Sequence, residues 1–175
     1  MNCTAKAFKY CPKCASGKLQ IKGKVLLCLD CSFKYYFNSA AAVAVLITNK
    51  QGELLITVRA KEPVKGTLDL PGGFVDPGES VEEGLRREIK EELALDIISM
   101  RYMFSVPNIY TYKGVSYNTV DLVYICDVED ASQARPGDDV ASILFKSPGE
   151  IDPAKFGLES IRKIVEQYIK MRSDN

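Results

Sequence analysis

The sequence predicts an α/β protein in which a small cysteine-rich segment precedes one larger domain. Four of the six cysteines form two Cys-x-x-Cys pairs close to the N-terminus. Beyond residue 38, short apolar runs typical of strands alternate with segments whose apolar residues recur at helical spacing. A length of 175 residues suits one ordinary domain with an appendage, so we expect domains at residues 1–38 and 39–175.

The charge is unevenly distributed along the chain. The formal net charge is zero, which gives no indication of a nucleic-acid or membrane partner. Residues 1–38 nevertheless hold seven lysines and one acidic residue, Asp30, and the other 137 residues have a net charge of −6. We interpret the first segment as a solvated basic appendage, with anion binding as the minority interpretation.

Two absences narrow the classes of function. Residues 1–10 lack the apolar stretch of a secretory signal, and the longest apolar run, residues 40–47, is too short to span a bilayer. We therefore expect a soluble cytoplasmic protein. The sequence contains no histidine, so acid–base chemistry must come from carboxylates, Lys, Tyr or Cys.

The cysteine pairs predict a structural zinc site formed by Cys11, Cys14, Cys28 and Cys31. Each Cys-x-x-Cys turn offers two thiolates, and two turns complete a tetrahedron with Zn–S distances of about 2.3 Å. Disulfides are disfavoured in a reducing cytoplasm, and a redox dithiol needs only one pair. Four thiolates leave no open coordination position, so we expect a structural site.

In the larger domain, strands are predicted at residues 41–48, 54–59, 100–106, 109–112, 119–128 and 141–145. A helix is predicted from Ser80 to about Leu93, because Ser80 and Glu83 have the spacing of a capping box. A second helix is predicted near the C-terminus from the helical spacing of apolar residues beginning at Ile161.

The first helix has three carboxylates on one face. Glu88, Glu91 and Glu92 fall within an arc of about 100°, on the side that also holds the apolar residues of the helix. Acidic groups turned inward are costly unless a cation joins them, and hard oxygen ligands suit Mg²⁺ or Mn²⁺. Gly73, just upstream, can bring its carbonyl close to this cluster. The pattern therefore predicts a metal site.

The same segment resembles the Nudix box. The resemblance consists of Gly73, five residues, Glu79, seven residues, and then the run from Arg87 to Leu95; it departs from the family at Ala94, where the family has glycine. It implies an α/β/α sandwich with a mixed sheet, in which a metal-activated water hydrolyses a pyrophosphate bond. The catalytic and cation-binding positions that it implies are Glu88, Glu91, Glu92 and the Gly73 carbonyl, with Arg87 and Glu79 orienting them. With no histidine in the chain, the proton acceptor should be Glu88 or a carboxylate on a later loop, for which Asp138 and Asp139 are the candidates.

A zinc ribbon before a Nudix domain is similar to the NADH pyrophosphatase branch. Of that branch's Ser-Gln-Pro-Trp-Pro-Phe-Pro signature, only Ser105-Val106-Pro107 is present. The resemblance implies hydrolysis of a small-molecule nucleotide such as ADP-ribose or NADH, with Arg59, Tyr110 and Tyr112 as candidate substrate-binding residues. The alternative is a nucleotide-sensing protein whose basic ribbon docks on nucleic acid or protein. A homodimer is compatible with either function.

Overall fold

The computed structural model describes residues 4–173, and the chain divides into two compact units. The first unit contains residues 1–40 and 109–119, and the second contains residues 41–108 and 120–175. The sequence assigned residues 109–119 to the larger domain, whereas their contacts group them with the N-terminal segment. The division into residues 1–38 and 39–175 stays a prediction.

The first unit contains a short antiparallel sheet. Its strands are β1 (Leu19–Lys22), β2 (Val25–Cys28) and β3 (Lys34–Tyr36), in the order β1-β2-β3. A 3₁₀ turn at Thr4–Ala7 precedes them. Leu26 and Phe37 are buried and pack against neighbouring apolar side chains, which gives this unit a small core beside the cysteines.

The second unit is built around two three-stranded sheets. Their strand orders are β4-β8-β7 and β6-β5-β9. The strands are β4 (Ala40–Leu46), β5 (Leu54–Arg59), β6 (Leu68–Asp69), β7 (Ile97–Tyr112), β8 (Val115–Val128) and β9 (Val140–Lys146). Residues 109–112 of β7 and 115–119 of β8 belong to the first unit.

Two helices cover opposite faces of these strands. They are α1 (Val81–Leu93) and α2 (Glu159–Ser173). Alternate residues of β4 show the layering: Val43 and Val45 pack in the cluster that contains the buried face of α1, and Ala44 and Leu46 pack in the cluster that contains α2. Because successive strand residues point to opposite faces, the sheet lies between the helices. The predicted α/β/α class is confirmed.

The largest difference from the predicted elements is the length of the β7–β8 hairpin. The sequence predicted separate strands at 100–106 and 109–112, interrupted near Pro107, and a next strand that begins at residue 119. In the structure β7 continues through Pro107, and β8 begins at Val115. Because β7 is the last strand in the order β4-β8-β7, Pro107 can lack an amide hydrogen without breaking a ladder inside the sheet.

Among the described residues, no helix has the length and apolarity needed to cross a membrane.

Candidate active site

The helix that carries the predicted metal ligands is firmly capped at its N-terminus. The Ser80 hydroxyl accepts a hydrogen bond from the Glu83 amide at 3.2 Å, and the Glu83 carboxylate accepts one from the Ser80 amide at 2.8 Å. This reciprocal pair is the predicted capping box. At the other end Ala94 has φ 56° and ψ 23°, the left-handed conformation in which glycine costs less. The family's glycine position therefore keeps its conformation with alanine.

Glycines upstream let the backbone lie directly against two of the carboxylates. A Cβ on Gly73 would come within 2.5 Å of the Glu88 carboxyl carbon, so any other residue there would displace the Glu88 carboxylate from its present position. The Gly72 amide donates to Glu92 Oε2 at 2.9 Å, with Gly72 at φ 137°. The Gly73 carbonyl accepts from the Val43 amide at 2.8 Å and has a second lone pair available for a ligand.

Arg87 links Glu88 and Glu91 on α1 to the loop that precedes the helix. Its Nε and Nη2 donate to the two Glu79 oxygens at 2.7 and 2.9 Å. Its Nη1 donates to Glu88 at 2.8 Å and to Glu91 at 3.2 Å. A further bond from Nη2 to the Phe74 carbonyl, 3.0 Å, pins the loop. The guanidinium lowers the pKa of Glu79 to about 2, so Glu79 stays ionised and holds Arg87 in place.

Burial opposes ionisation of two carboxyl groups on α1, Glu92 and Glu88. Burial is the main cause that raises the pKa of Glu92 to about 8, and the negative charges of Glu88, Asp69 and Asp139 add to it. Burial also raises the pKa of Glu88, against the opposing effect of Arg87. Groups that resist ionisation without a cation are the groups that a bound cation would stabilise in their charged form.

The loop after β8 brings two more carboxylates toward this cluster. The Arg135 and Gly137 amides donate to the Leu93 and Glu92 carbonyls at the end of α1, both at 2.9 Å. Asp138, next in the chain, is near enough to contribute to the raised pKa of Glu88. The backbone bonds thus hold the loop that carries Asp138 and Asp139 against the C-terminal end of α1.

Lys61 pairs with both loop acids and was not identified from the sequence. Its Nζ lies 2.7 Å from Asp138 and 2.5 Å from Asp139. A lysine shortly after a strand has no distinctive local pattern, and its partners lie far along the chain, so no sequence signal was available. The pairing lowers the pKa of Asp138.

The donor chemistry of this cluster fits a hard divalent cation, although its carboxylates do not converge on one point. Within residues 4–173, the four cysteines are the only group of three or more His, Cys, Asp or Glu side chains whose donor atoms all lie within 4.8 Å of one another. Glu88 and Glu91 are instead bridged by Arg87. Carboxylate oxygens with an accessible backbone carbonyl are the ligands that Mg²⁺ and Mn²⁺ prefer. The Glu88 carboxylate lies close to Gly73, the residue that supplies this carbonyl.

The candidate substrate-binding residues belong to different units. The Arg59 guanidinium donates to the buried Asp69 at 2.5 Å and to the Pro63 carbonyl at 2.9 Å, both in the second unit. Tyr110 and Tyr112 belong to the first unit. Asp69 was not identified from the sequence, although an acidic residue between two leucines indicates a buried carboxylate that needs a charged partner.

The cysteine site has the geometry predicted for zinc. The Sγ atoms of Cys11 and Cys31 lie 3.7 Å apart, and those of Cys14 and Cys28 lie 3.6 Å apart. Four thiolates about 2.3 Å from a tetrahedral ion have sulfur atoms about 3.8 Å apart, whereas a disulfide needs about 2.05 Å. All four sulfur atoms lie within 4.8 Å of one another.

The two Cys-x-x-Cys turns share one backbone geometry. The amide after each pair donates to the carbonyl of its first cysteine: Ala15 to Cys11 at 2.8 Å, and Ser32 to Cys28 at 3.0 Å. Ala15 and Ser32 both have φ 58°. Backbone hydrogen bonds, the largest from the Cys31 amide, lower the pKa of Cys28 to about 6 and favour the thiolate that a metal requires.

The layered fold and the capped carboxylate helix define the class of protein as a Nudix-type hydrolase. The sequence model of the NUDIX domain family matches residues 38–168. The chain therefore belongs to this family. This membership confirms the predicted class of activity, cleavage of a nucleoside diphosphate linked to another moiety.

Two relatives illustrate the sequence similarity. An ADP-ribose pyrophosphatase of Methanocaldococcus jannaschii is 32% identical over 143 residues, which cover 81% of this chain and 79% of that protein. An NAD-capped RNA hydrolase NudC of Pseudomonas entomophila is 31% identical over 169 residues, 96% of this chain and 58% of that protein. The chain thus spans little more than half the length of the NudC relative.

Solved structures show the same fold. A NUDIX hydrolase of Nitrosomonas europaea superposes with a TM-score of 0.71 at 21% identity, covering 96% of this chain and 94% of that one. The NUDIX domain of Shewanella oneidensis NrtR, solved with ADP ribose, superposes with a TM-score of 0.58 at 18% identity, covering 78% of this chain and 90% of that one. At these identities the likeness concerns the fold.

Proposed function

We propose that this enzyme hydrolyses the diphosphate bond of ADP-ribose and related nucleoside diphosphate compounds, with Mg²⁺ or Mn²⁺ held at the α1 carboxylates. The observation that carries the proposal is the placement of Glu88 and Glu92 directly against the Gly72–Gly73 backbone. The substrate class is supported by the 32% identity to an ADP-ribose pyrophosphatase over most of both chains.

The side chains would divide the work as follows. Glu88, Glu91, Glu92 and the Gly73 carbonyl would hold the cation, and Arg87 with Glu79 would keep Glu88 and Glu91 in position. When bound, the cation supplies neutralisation of the diphosphate and an acidified water. Because the chain has no histidine, a carboxylate accepts the proton, and Glu88 and the two loop acids are the candidates.

Arg59 would act by positioning rather than by contact with substrate. Its bonds to Asp69 and the Pro63 carbonyl tie the end of β5 to the start of the segment that leads to the glycines. Asp69 in turn accepts from the Leu70 amide at 2.8 Å. This chain of bonds supports the turn at Gly72 and Gly73 against which the carboxylates pack.

The four cysteines would hold a structural zinc ion, because four thiolates fill its coordination shell. Among the described residues the cysteines form no disulfide, so all four thiols are available to a metal.

The test is an activity screen of purified protein with Mg²⁺ or Mn²⁺ against ADP-ribose, NADH and a diadenosine polyphosphate. We expect ADP-ribose to yield AMP and ribose 5-phosphate. We also expect NADH to be favoured over ADP-ribose by less than ~100-fold in kcat/KM, about 2.7 kcal/mol, because most of the aromatic signature of the NADH branch is missing.

The screen also separates the enzyme from the nucleotide sensor. Calorimetric binding of ADP-ribose without turnover, with either cation, would support the sensor and contradict the enzyme. Turnover of NADH at least ~100-fold more efficiently would instead correct the substrate. The folded Glu88→Gln variant is the control for contaminating hydrolases, since it lacks a proposed ligand.

A further inference from the structure

We propose that the first unit binds single-stranded nucleic acid, with unpaired bases in an aromatic groove and phosphates on surrounding lysines. The proposal concerns residues 4–40 and 109–119 alone. It goes beyond the hydrolysis proposed above and does not depend on it.

The groove is large, open and aromatic. Its volume is about 510 Å³, within the range of roughly 300–1,000 Å³ for sites that take small organic groups. Tyr36 is 50% exposed and Tyr117 is 42% exposed, so both rings are accessible. The lining residues are Thr4, Ala7, Phe8, Tyr35, Tyr36, Phe37, Asn38, Ser39, Ala40, Val115, Tyr117 and Asn118.

Three of the other lining rings pack against one another and form a fixed aromatic wall of the groove. Phe8, Tyr35 and Phe37 form a cluster with ring centroids 5.3–5.5 Å apart. The Thr4 hydroxyl donates to the Ser116 carbonyl, which links the N-terminal turn to the hairpin tip within this unit. A rigid aromatic surface suits base stacking, because little side-chain freedom is lost on binding.

The charge of the unit matches a polyanion. Residues 1–40 and 109–119 contain eight lysines and no arginine, against one acid, Asp30, for a net charge of +7. Asp30 is already paired with Lys18 at 3.1 Å. The second unit has 15 basic and 22 acidic residues, a net charge of −7, so the neutral total conceals a strongly basic unit.

Three exposed lysines neighbour groove residues along the chain, through a backbone hydrogen bond, or at the hairpin tip of the same unit. Lys34 precedes Tyr35 in β3, and the Lys24 carbonyl accepts from the Phe37 amide at 2.8 Å. At the hairpin tip, Lys113 Nζ lies 5.1 Å from the centre of the Tyr112 ring. All three lysines are exposed. Aromatic rings flanked by cations are typical of sequence-tolerant single-strand binding.

Stacking distinguishes this occupant from an acidic protein segment. An acidic peptide needs the lysines but has no use for exposed tyrosine faces, whereas unpaired bases use both. Duplex nucleic acid would present phosphates without free base faces. The combination of groove and charge therefore favours a single strand.

The test is fluorescence anisotropy with labelled oligouridylate of about twelve nucleotides, within the 4–16 nucleotides typical of such sites. The probe is titrated with the zinc-loaded protein of 175 residues. Oligothymidylate, a duplex of equal length and labelled polyglutamate are the comparison probes. We expect single strands to bind most tightly, with a slope of log K against log salt near −2 for about three phosphate contacts.

The variants separate stacking from charge. Tyr36→Ala with Tyr117→Ala should weaken binding at least about tenfold, and the double Phe substitution should restore it, since stacking needs the ring but not the hydroxyl. Lys24→Gln with Lys34→Gln should reduce the size of the salt slope by about 1.4. Tyr10→Ala, an exposed ring outside the groove lining, and Lys170→Gln on α2 are matched controls.

Zinc content and circular dichroism confirm that each variant is folded. Binding that is unchanged in the tyrosine double variant, or equally tight binding of the duplex or of polyglutamate, would overturn the proposal. ADP-ribose hydrolysis, followed in the same preparations, should be unchanged in the groove variants. Loss of oligonucleotide binding therefore cannot be confused with failure of the hydrolase assignment.

Discussion

Replacing Glu92 by glutamine is expected to abolish hydrolysis and to stabilise the protein in the absence of added divalent cation. Glu92 is only 8% exposed and accepts a hydrogen bond from the Gly72 amide at 2.9 Å. Burial, together with nearby negative charges, raises its pKa from 4.5 to about 8. The glutamine amide oxygen can accept the same bond, and glutamine has similar size and helix propensity, so the fold should be retained.

The gain in stability follows from proton linkage. A carboxyl group whose pKa is higher in the folded state than in the unfolded state adds to the free energy of unfolding while it is protonated. For Glu92 this contribution is complete below the unfolded pKa of 4.5 and is lost as the pH rises toward 8. At 1.36 kcal/mol per pH unit, the loss between pH 4.5 and pH 7 is about 3 kcal/mol. Glutamine does not ionise, so the variant keeps this free energy of unfolding.

The expected readout is a Tm that is roughly 5–10 °C higher than that of the wild type at pH 7 and nearly the same at pH 4. Thermal unfolding is followed by circular dichroism without added Mg²⁺ or Mn²⁺. With saturating Mg²⁺, kcat for ADP-ribose should fall at least ~100-fold, because removing even an indirect partner of a metal commonly costs 10–100-fold.

Glu166→Gln is the matched control, since Glu166 is exposed on α2 and its substitution changes the net charge equally. Near-normal hydrolysis by folded Glu92→Gln would show that the metal site is misplaced. An unchanged Tm at pH 7 would refute the argument that burial suppresses ionisation of Glu92, whatever the activity.

Two further predictions concern the cysteines and the glycine turn. Elemental analysis should find about one zinc per chain. Cys28→Ser should lower the zinc content and the protection of residues 4–40 from proteolysis, while α1 and α2 keep their helical signal. Metal-free protein with paired disulfides would contradict this prediction. Gly73→Ala should reduce kcat at least about tenfold with the helices intact, because the added Cβ would come within 2.5 Å of the Glu88 carboxyl carbon. Gly149→Ala is the control and should leave kcat nearly unchanged, since nothing lies within 4 Å of a Cβ there. Equal activity of the two variants would contradict the close approach of Glu88 to Gly73.

Local features were readable from the sequence because their partners are near in the chain. Ser80 and Glu83 are three residues apart, so the capping box could be predicted before its hydrogen bonds were seen. The period of the helix placed Glu88, Glu91 and Glu92 on the apolar side. Glu92 is buried and Glu88 is partly buried, but the Glu91 side chain is 51% exposed, so the prediction was wrong for Glu91. The paired cysteine spacing predicted one four-sulfur site. The resemblance to the Nudix box added the layered fold, which the structure and the family match confirm.

Features that depend on distant parts of the chain were settled only by the tertiary structure. Arg59 is engaged by Asp69, and Lys61 holds Asp138 across 77 positions of sequence; nothing in the local pattern names either partner. The long hairpin groups residues 109–119 with the N-terminal segment, so Tyr110 and Tyr112 belong to a different unit from Glu88. Periodicity reports which face of an element is apolar, but it carries no information about which remote charge will meet that face, because that choice is made when the strands pair and the loops close.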